Sequence, residues 1–190
     1  EQILQALAAM LEKPGSDRIT TAALAANLSV SEAALYRHFA SKAQMFEGLI
    51  DFIEQSVFSL VQQVMGRDGE VLEFTPEDGA RRAVRIVALV LQFAERNPGM
   101  VRVLVGDALL LEHERLQVRM NQFFERIEST LRQCLRPAAG ALGSATPTVE
   151  AQVAASVLMS FVQGRLLRFV RTGFRRQPTE HLDASLAMLI

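Results

Sequence analysis

Apolar residues recur every three to four positions along most of this chain, and no stretch alternates with a period of two. The clearest run is Phe46, Leu49, Ile50, Ile53, Val57, Leu60, Val61 and Val64. That spacing lines one face of an α-helix, whereas a half-buried strand needs strict alternation. Similar stripes are formed by Ile3, Leu4, Leu7, Ala8 and Leu11, and by Leu116, Met120, Phe123, Ile127, Leu131 and Cys134. Residues 83–94 are apolar nearly all round, the pattern of a central helix. The chain is therefore expected to be all-α.

Helix breakers and caps set the boundaries. Pro14-Gly15 ends the first helix. Thr20 or Thr21 can cap a second over about 22–27, and Ser31 a third over about 32–39. Ser41 opens a long fourth helix to about 65, followed by a loop over 66–75. Pro76 fits the first turn of a fifth helix that reaches about 96. Asn97-Pro98-Gly99 breaks it before a short helix to about 105. A long helix over about 111–135 and a small-residue loop over 137–147 come next. Another long helix reaches about 172, and Pro178-Thr179 opens the last. The expected architecture is an N-terminal three-helix unit over 1–44 and an all-helical dimerisation and partner-binding domain over 45–190, about nine helices in all.

Composition narrows the function classes. The chain has 190 residues, 49% apolar and 22% charged, with a net charge of −1, so no global basic field announces a nucleic-acid partner. One cysteine, Cys134, allows no internal disulfide and suits a reducing, cytoplasmic setting. No membrane segment and no secretory signal are expected. The histidines His38, His113 and His181 are scattered. In Glu112-His113-Glu114, adjacent residues of a helix point about 100° apart and do not converge on a metal. No phosphate loop and no nucleophile–base arrangement is visible. No enzyme, metal or cofactor is expected.

The stretch TTAALAANLSVSEAALYRHFASK, residues 20–42, carries the function. Two short helices are joined by Leu28-Ser29-Val30, with Leu24, Ala25, Leu28, Val30, Ala34, Leu35 and Phe39 supplying a small inside. This is a helix-turn-helix, whose second member enters the major groove of DNA. Thr20 and Thr21 can hold a phosphate, and Ser31, Glu32 and Ala33 lead the third helix toward base edges. Tyr36, Arg37 and His38 follow one turn on, and Lys42 adds a positioning charge. The charges over 16–48 cancel: Arg18, Arg37 and Lys42 oppose Asp17, Glu32 and Glu47. A basic arm ahead of Glu1, or a second subunit, would supply the phosphate neutralisation that DNA affinity needs.

The pattern T-x-x-x-L-A-x-x-x-x-V-S-x-x-x-L-Y-x-H-F-x-S-K in this stretch resembles the DNA-binding domain of the TetR family of regulators. Three longer blocks, beginning VSEAALYRHF, FAERNPGMVR and RFVRTGFRRQ, resemble a narrower branch of that family, the nucleoid occlusion factors. The loops over 66–76 and 137–147 depart from that branch. The resemblance implies a homodimer that binds palindromic double-stranded DNA on the nucleoid. It also implies engagement of the C-terminal tail of the tubulin-like division protein FtsZ, so that no septum assembles over the chromosome. Residues that could take such a tail are Met45 and Phe52, off the stripe of the fourth helix, and Leu89, Phe93, Arg96 and Asn97 at the end of the fifth. Phe52 has a second possible place, packed on the first helix, and Leu89 and Phe93 a second place in the core. A ligand-gated repressor is the alternative within the family.

Dimerisation also has a reading from the residues themselves. On the helix after 147, Val153, Val157, Phe161 and Gly164 form one row, and Ala155, Leu158, Val162, Leu166 and Phe169 another. One row can serve the subunit and the other a partner. Leu116, Phe123 and Ile127 of the preceding long helix are expected to complete a four-helix interface.

Overall fold

The computed structural model describes residues 2–13, 19–66, 75–141, 143 and 145–190. Among them the regular structure is all helical: α1 (Gln2–Leu11), α2 (Thr21–Asn27), α3 (Glu32–Tyr36), α4 (Lys42–Met65), α5 (Pro76–Arg96), α6 (Pro98–Leu104), α7 (Glu114–Ala141), α8 (Pro147–Arg171) and α9 (Leu182–Ala187), with one 3₁₀ turn at Asp107–Leu109. The expected breaks at Pro14-Gly15 and over 67–74 lie outside the described residues. Three caps act where the sequence places them, and Thr75 adds one at the start of α5, inside the stretch expected as a loop. The hydroxyls of Thr20, Ser31, Ser41 and Thr75 accept hydrogen bonds from the amides of Ala23, Ala34, Gln44 and Asp78. Each satisfies a donor that the first turn of a helix leaves free.

α3 ends at Tyr36 rather than near 39, and both ends of α7 differ from the sequence reading. α7 continues through Pro137 to Ala141. Proline costs one amide bond and crowds the turn before it, but Ala138, Ala139, Gly140 and Ala141 carry the helix one turn further. α7 also starts later than expected. Leu110 and Leu111 stand exposed in the connection ahead of it.

α1, α2 and α3 form a small unit closed by Leu7, Leu11, Leu24 and Leu35, all buried. Ser29 takes a left-handed conformation (φ 55°) at the turn between α2 and α3. The amide of Val30 donates to the carbonyl of Ala25 at 3.0 Å across that turn. α4 runs from this unit into the remaining helices, where α5, α7 and α8 pack as the main layer. The buried apolar residues form one continuous cluster from Leu7 to Leu186.

Two glycines let helices meet at backbone distance. A Cβ on Gly79 would lie 2.1 Å from the carbonyl oxygen of Cys134, where α5 crosses α7. A Cβ on Gly99 would lie 2.1 Å from the carbonyl oxygen of Ala8, where α6 meets α1. Buried Arg102 reinforces that second crossing. Its Nε donates to Asp107 at 3.0 Å, and its guanidinium reaches the carbonyl of Leu11 at 3.5 Å.

α8 contains an 18-residue window of mean hydropathy 1.4 and could cross a bilayer by length and composition alone. In the fold, one of its apolar rows packs into the subunit core.

Candidate nucleic-acid and partner interfaces

The predicted DNA contacts gather on one surface. Thr20 is at the cap of α2, while Ser31, Glu32 and Ala33 are exposed at the start of α3. Thr21 donates to the Glu32 carboxylate at 2.6 Å, and the Tyr36 hydroxyl sits 3.5 Å from Thr21. These bonds clamp the two helices. They leave Tyr36 46% exposed on the outer side of α3. α3 ends at Tyr36, so Arg37 and His38 project from the turn after it rather than from the helix, and both are exposed. Lys42 is a correction. Its ammonium is held by the Glu112 carboxylate, and it lies 5.8 Å from the Phe46 ring centre. In this structure it ties the start of α4 to the connection ahead of α7 and is not free for phosphate.

That pair is the first rung of a ladder. Arg115 pairs with Glu47 at 2.7 Å, and Arg119 with Asp51 and Glu54 at 2.5 and 2.7 Å. The rungs tie the DNA-proximal half of α4 to the start of α7. Partial burial works against the Arg119 cation, but Glu54 and Asp51 hold its pKa above the ordinary arginine value. The sequence reading did not anticipate the ladder, because pairs so far apart in the chain leave no local spacing to read.

The candidate partner surface is the one where α4 and α5 pack together, joined where Arg82 donates to the Val64 carbonyl. Phe52 is 47% exposed, a large aromatic without full cover. Arg96 is exposed at the end of α5, and Leu89 is half-buried. The Asn97 side chain donates to the Phe93 carbonyl at 2.7 Å and finishes the helix. Two expectations fail here. Met45 is completely buried, because α1, α5 and α6 all pack around α4 and cover its flank as well as its stripe. Phe93 is buried too and takes the second place open to it, in the core.

The two rows of α8 separate cleanly. Ala155, Leu158, Val162, Leu166 and Phe169 are buried in the subunit. Val153 and Val157 are exposed, Gly164 is bare, and Phe161 is half-buried with Arg165 stacked 4.8 Å from its ring centre. Val149 and Leu167 extend this outward row at either end. A Cβ on Gly164 would meet nothing within 4 Å. The α7 part of the expected interface is corrected. Leu116, Phe123 and Ile127 are buried in the subunit's own core, Phe123 against Phe58 at 5.3 Å between ring centres. They are the core face of α7. Its edge along α8 is polar, with Glu128 and Arg132 both bonded to Gln152.

The fold and these surfaces define a TetR-type DNA-binding regulator. Residues 3–49 match the family model described as bacterial regulatory proteins of the tetR family. Residues 78–190 match a tetracyclin repressor-like C-terminal domain, of the SlmA-like type. The TetR-family regulator PfmR from Thermus thermophilus superposes with a TM-score of 0.74 at 18% identity, covering 100% of this chain and 97% of that one. FadR from Bacillus subtilis, solved with stearoyl-CoA, gives 0.73 at 12% identity, covering 100% and 96%. These likenesses show the fold. Closer relatives narrow the class. The nucleoid occlusion factor SlmA of Idiomarina loihiensis is 50% identical over 97% of this chain and 89% of its own length. SlmA of Vibrio atlanticus is 50% identical over 100% and 92%. The chain belongs to the SlmA family of nucleoid occlusion factors within the TetR regulators.

Proposed function

We propose that this protein acts as a DNA-bound homodimer on the nucleoid, in the cytoplasm, and that in this state it binds the C-terminal tail of FtsZ and blocks septum assembly over the chromosome. The observation that carries the partner reading is the half-exposed Phe52 on α4, the helix that packs against α5, whose end carries the exposed Arg96. An extended, partly apolar tail fits a groove with one aromatic anchor and a guanidinium for its acidic groups. The outward row of α8 carries the dimer. Val149, Val153, Val157 and Leu167 make it largely apolar, with Gly164 allowing close approach of a second copy. A two-fold dimer then presents two α3 helices to successive major grooves of a palindrome.

The test is fluorescence anisotropy of a labelled FtsZ tail peptide, titrated with the protein alone and with sheared chromosomal DNA at fixed salt. Saturable binding that Phe52→Asp abolishes supports the reading. No binding in either condition, with the protein's own DNA binding intact, refutes it and leaves the ligand-gated repressor.

A further inference from the structure

The most basic stretch of the chain is not in the helix-turn-helix. Residues 165–176 hold Arg165, Arg168, Arg171, Arg175 and Arg176, and no acid. Over 16–48 the charges cancel, as counted above. A DNA-binding protein must neutralise phosphates, so the surplus at the end of α8 needs a place in the account.

The fold puts it at the DNA end of the molecule. Gln152 is bonded to Glu128 and Arg132, which fixes the register of α8 against α7. Running antiparallel from that point, α8 brings Arg168 level with Glu114, the first residue of α7. The Lys42–Glu112 and Glu47–Arg115 pairs lie at this same end, where α4 leaves the helix-turn-helix. α6 packs against both α1 and α8, and so links the DNA-binding unit to the helix that carries Arg165, Arg168 and Arg171.

The cluster is also held rigidly and left under-neutralised. The amide of Phe174 donates to the Phe169 carbonyl at 2.9 Å, and the two rings meet edge to face at 5.1 Å, which fixes the turn after α8. Arg165 donates to the Glu180 carbonyl and to Ser185, anchoring α9. Glu180 is the one carboxylate paired with the cluster among the described residues, shared by Arg168 at 3.4 Å and Arg176 at 3.3 Å. The Nε of Arg168 is shielded from solvent and has no acceptor among the described residues. Arg171, Arg175 and Arg176 are exposed. Arg171 stands seven residues beyond Gly164 and fourteen beyond Val157, on the same face of α8. In a dimer closed on that face, the two clusters converge near the two-fold axis, between the two recognition helices. Like charges brought together there repel unless an anion lies between them.

We propose that Arg171, Arg175 and Arg176 form a second, sequence-independent DNA contact, on the phosphates at the centre of the site between the two helix-turn-helix units. This rests on the DNA-bound dimer of the proposed function, but not on its FtsZ arm. Guanidinium groups suit phosphate oxygens by their forked geometry, and such contacts position without specifying.

The test compares wild type with the triple variant Arg171→Ser, Arg175→Ser, Arg176→Ser. The probe is a duplex of about 40 bp, roughly four helical turns, selected by the wild-type protein from random-sequence DNA. Affinity is read from about 50 to 200 mM KCl. Each lost phosphate contact removes about 0.9 from the slope of log K against log salt, so three residues on each of two subunits remove up to about 5. The expected result is a slope shallower by at least about 2, with dimer mass and melting temperature unchanged. The Arg→Lys triple variant should keep most of the slope. If the serine variant melts early, Arg175→Ser alone is read in its place, expected to remove about 2 per dimer. An unchanged slope and affinity, with wild type binding the duplex, overturns the proposal. A serine variant that keeps its DNA slope but loses the FtsZ tail peptide also overturns it and assigns the cluster to an acidic protein segment. Wild-type protein that selects no duplex overturns the DNA-bound dimer itself, a separate failure.

Discussion

Gly99→Ala tests whether α6 carries the DNA-binding unit by direct backbone contact. The added Cβ would sit 2.1 Å from the Ala8 carbonyl oxygen and 3.0 Å from its carbon. The closest ordinary C···O approach is about 3.3 Å, so α1 and α6 must part by roughly 1.2 Å. α1 cannot give way freely, because Leu7 and Leu11 are buried and Arg102 reaches the Leu11 carbonyl at 3.5 Å. Overpacking of this kind costs about 1–3 kcal/mol. A weakened charged hydrogen bond adds about 1 kcal/mol. The helix propensity of alanine returns at most about 1 kcal/mol. The net loss is therefore about 1–3 kcal/mol, or a fall in Tm of roughly 2–12 °C for a chain of this size. Urea unfolding followed by circular dichroism gives the total. Amide hydrogen exchange over residues 2–13 locates it, with α1 losing protection before α5 and α7. A variant as stable as wild type, with α1 equally protected, would refute the close approach and the α1–α6 docking with it.

Gly164→Ala should behave in the opposite way: a Cβ there meets nothing within the subunit, so the isolated subunit gains up to about 1 kcal/mol of helix propensity, while sedimentation equilibrium shows a weaker dimer. Met45→Ala should cost about 2–5 kcal/mol as a buried cavity, whereas Phe52→Asp should leave urea stability within about 0.5 kcal/mol, as exposed substitutions do, and remove tail-peptide binding. Glu112→Gln frees Lys42 and should tighten DNA binding, steepening the salt slope by about 2 per dimer, one contact per subunit; an unchanged slope would place Lys42 away from phosphate. Burial pushes the Cys134 thiol from 9.0 up to about 11. The folded state thus holds that proton more tightly than the unfolded state. The associated stability is complete below pH 9, falls as pH rises, and is gone above about 11, as stopped-flow unfolding against pH would record. At pH 8 the native thiol should react with an aromatic disulfide reagent only at the rate of opening.

Much of this fold is legible in the sequence because helices announce themselves locally. The caps Thr20, Ser31 and Ser41 and the breakers at 97–99 act where their chemistry dictates. The split of α8 into an inward and an outward row follows from its period alone. What is not legible depends on neighbours that periodicity does not identify. Met45 reads as a rim residue by its angle on α4, but α1, α5 and α6 close around that helix. Leu116, Phe123 and Ile127 read equally well as core or as dimer contacts, since a stripe does not say which partner covers it. Lys42 reads as a DNA ligand until Glu112, seventy residues on, is seen beside it. Pro137 reads as a stop, yet the alanines after it hold one more turn. The arginines of 165–176 are plain in the sequence, but only the antiparallel return of α8 shows which end of the molecule they occupy.

The most direct test of the central claim is sedimentation of GTP-assembled FtsZ polymers with this protein, with and without a selected DNA duplex. The account predicts that the protein with DNA shifts FtsZ from pellet to supernatant, that the effect weakens without DNA, and that Phe52→Asp with DNA leaves the pellet intact. Undiminished polymer in the presence of the DNA-bound wild-type protein would contradict it.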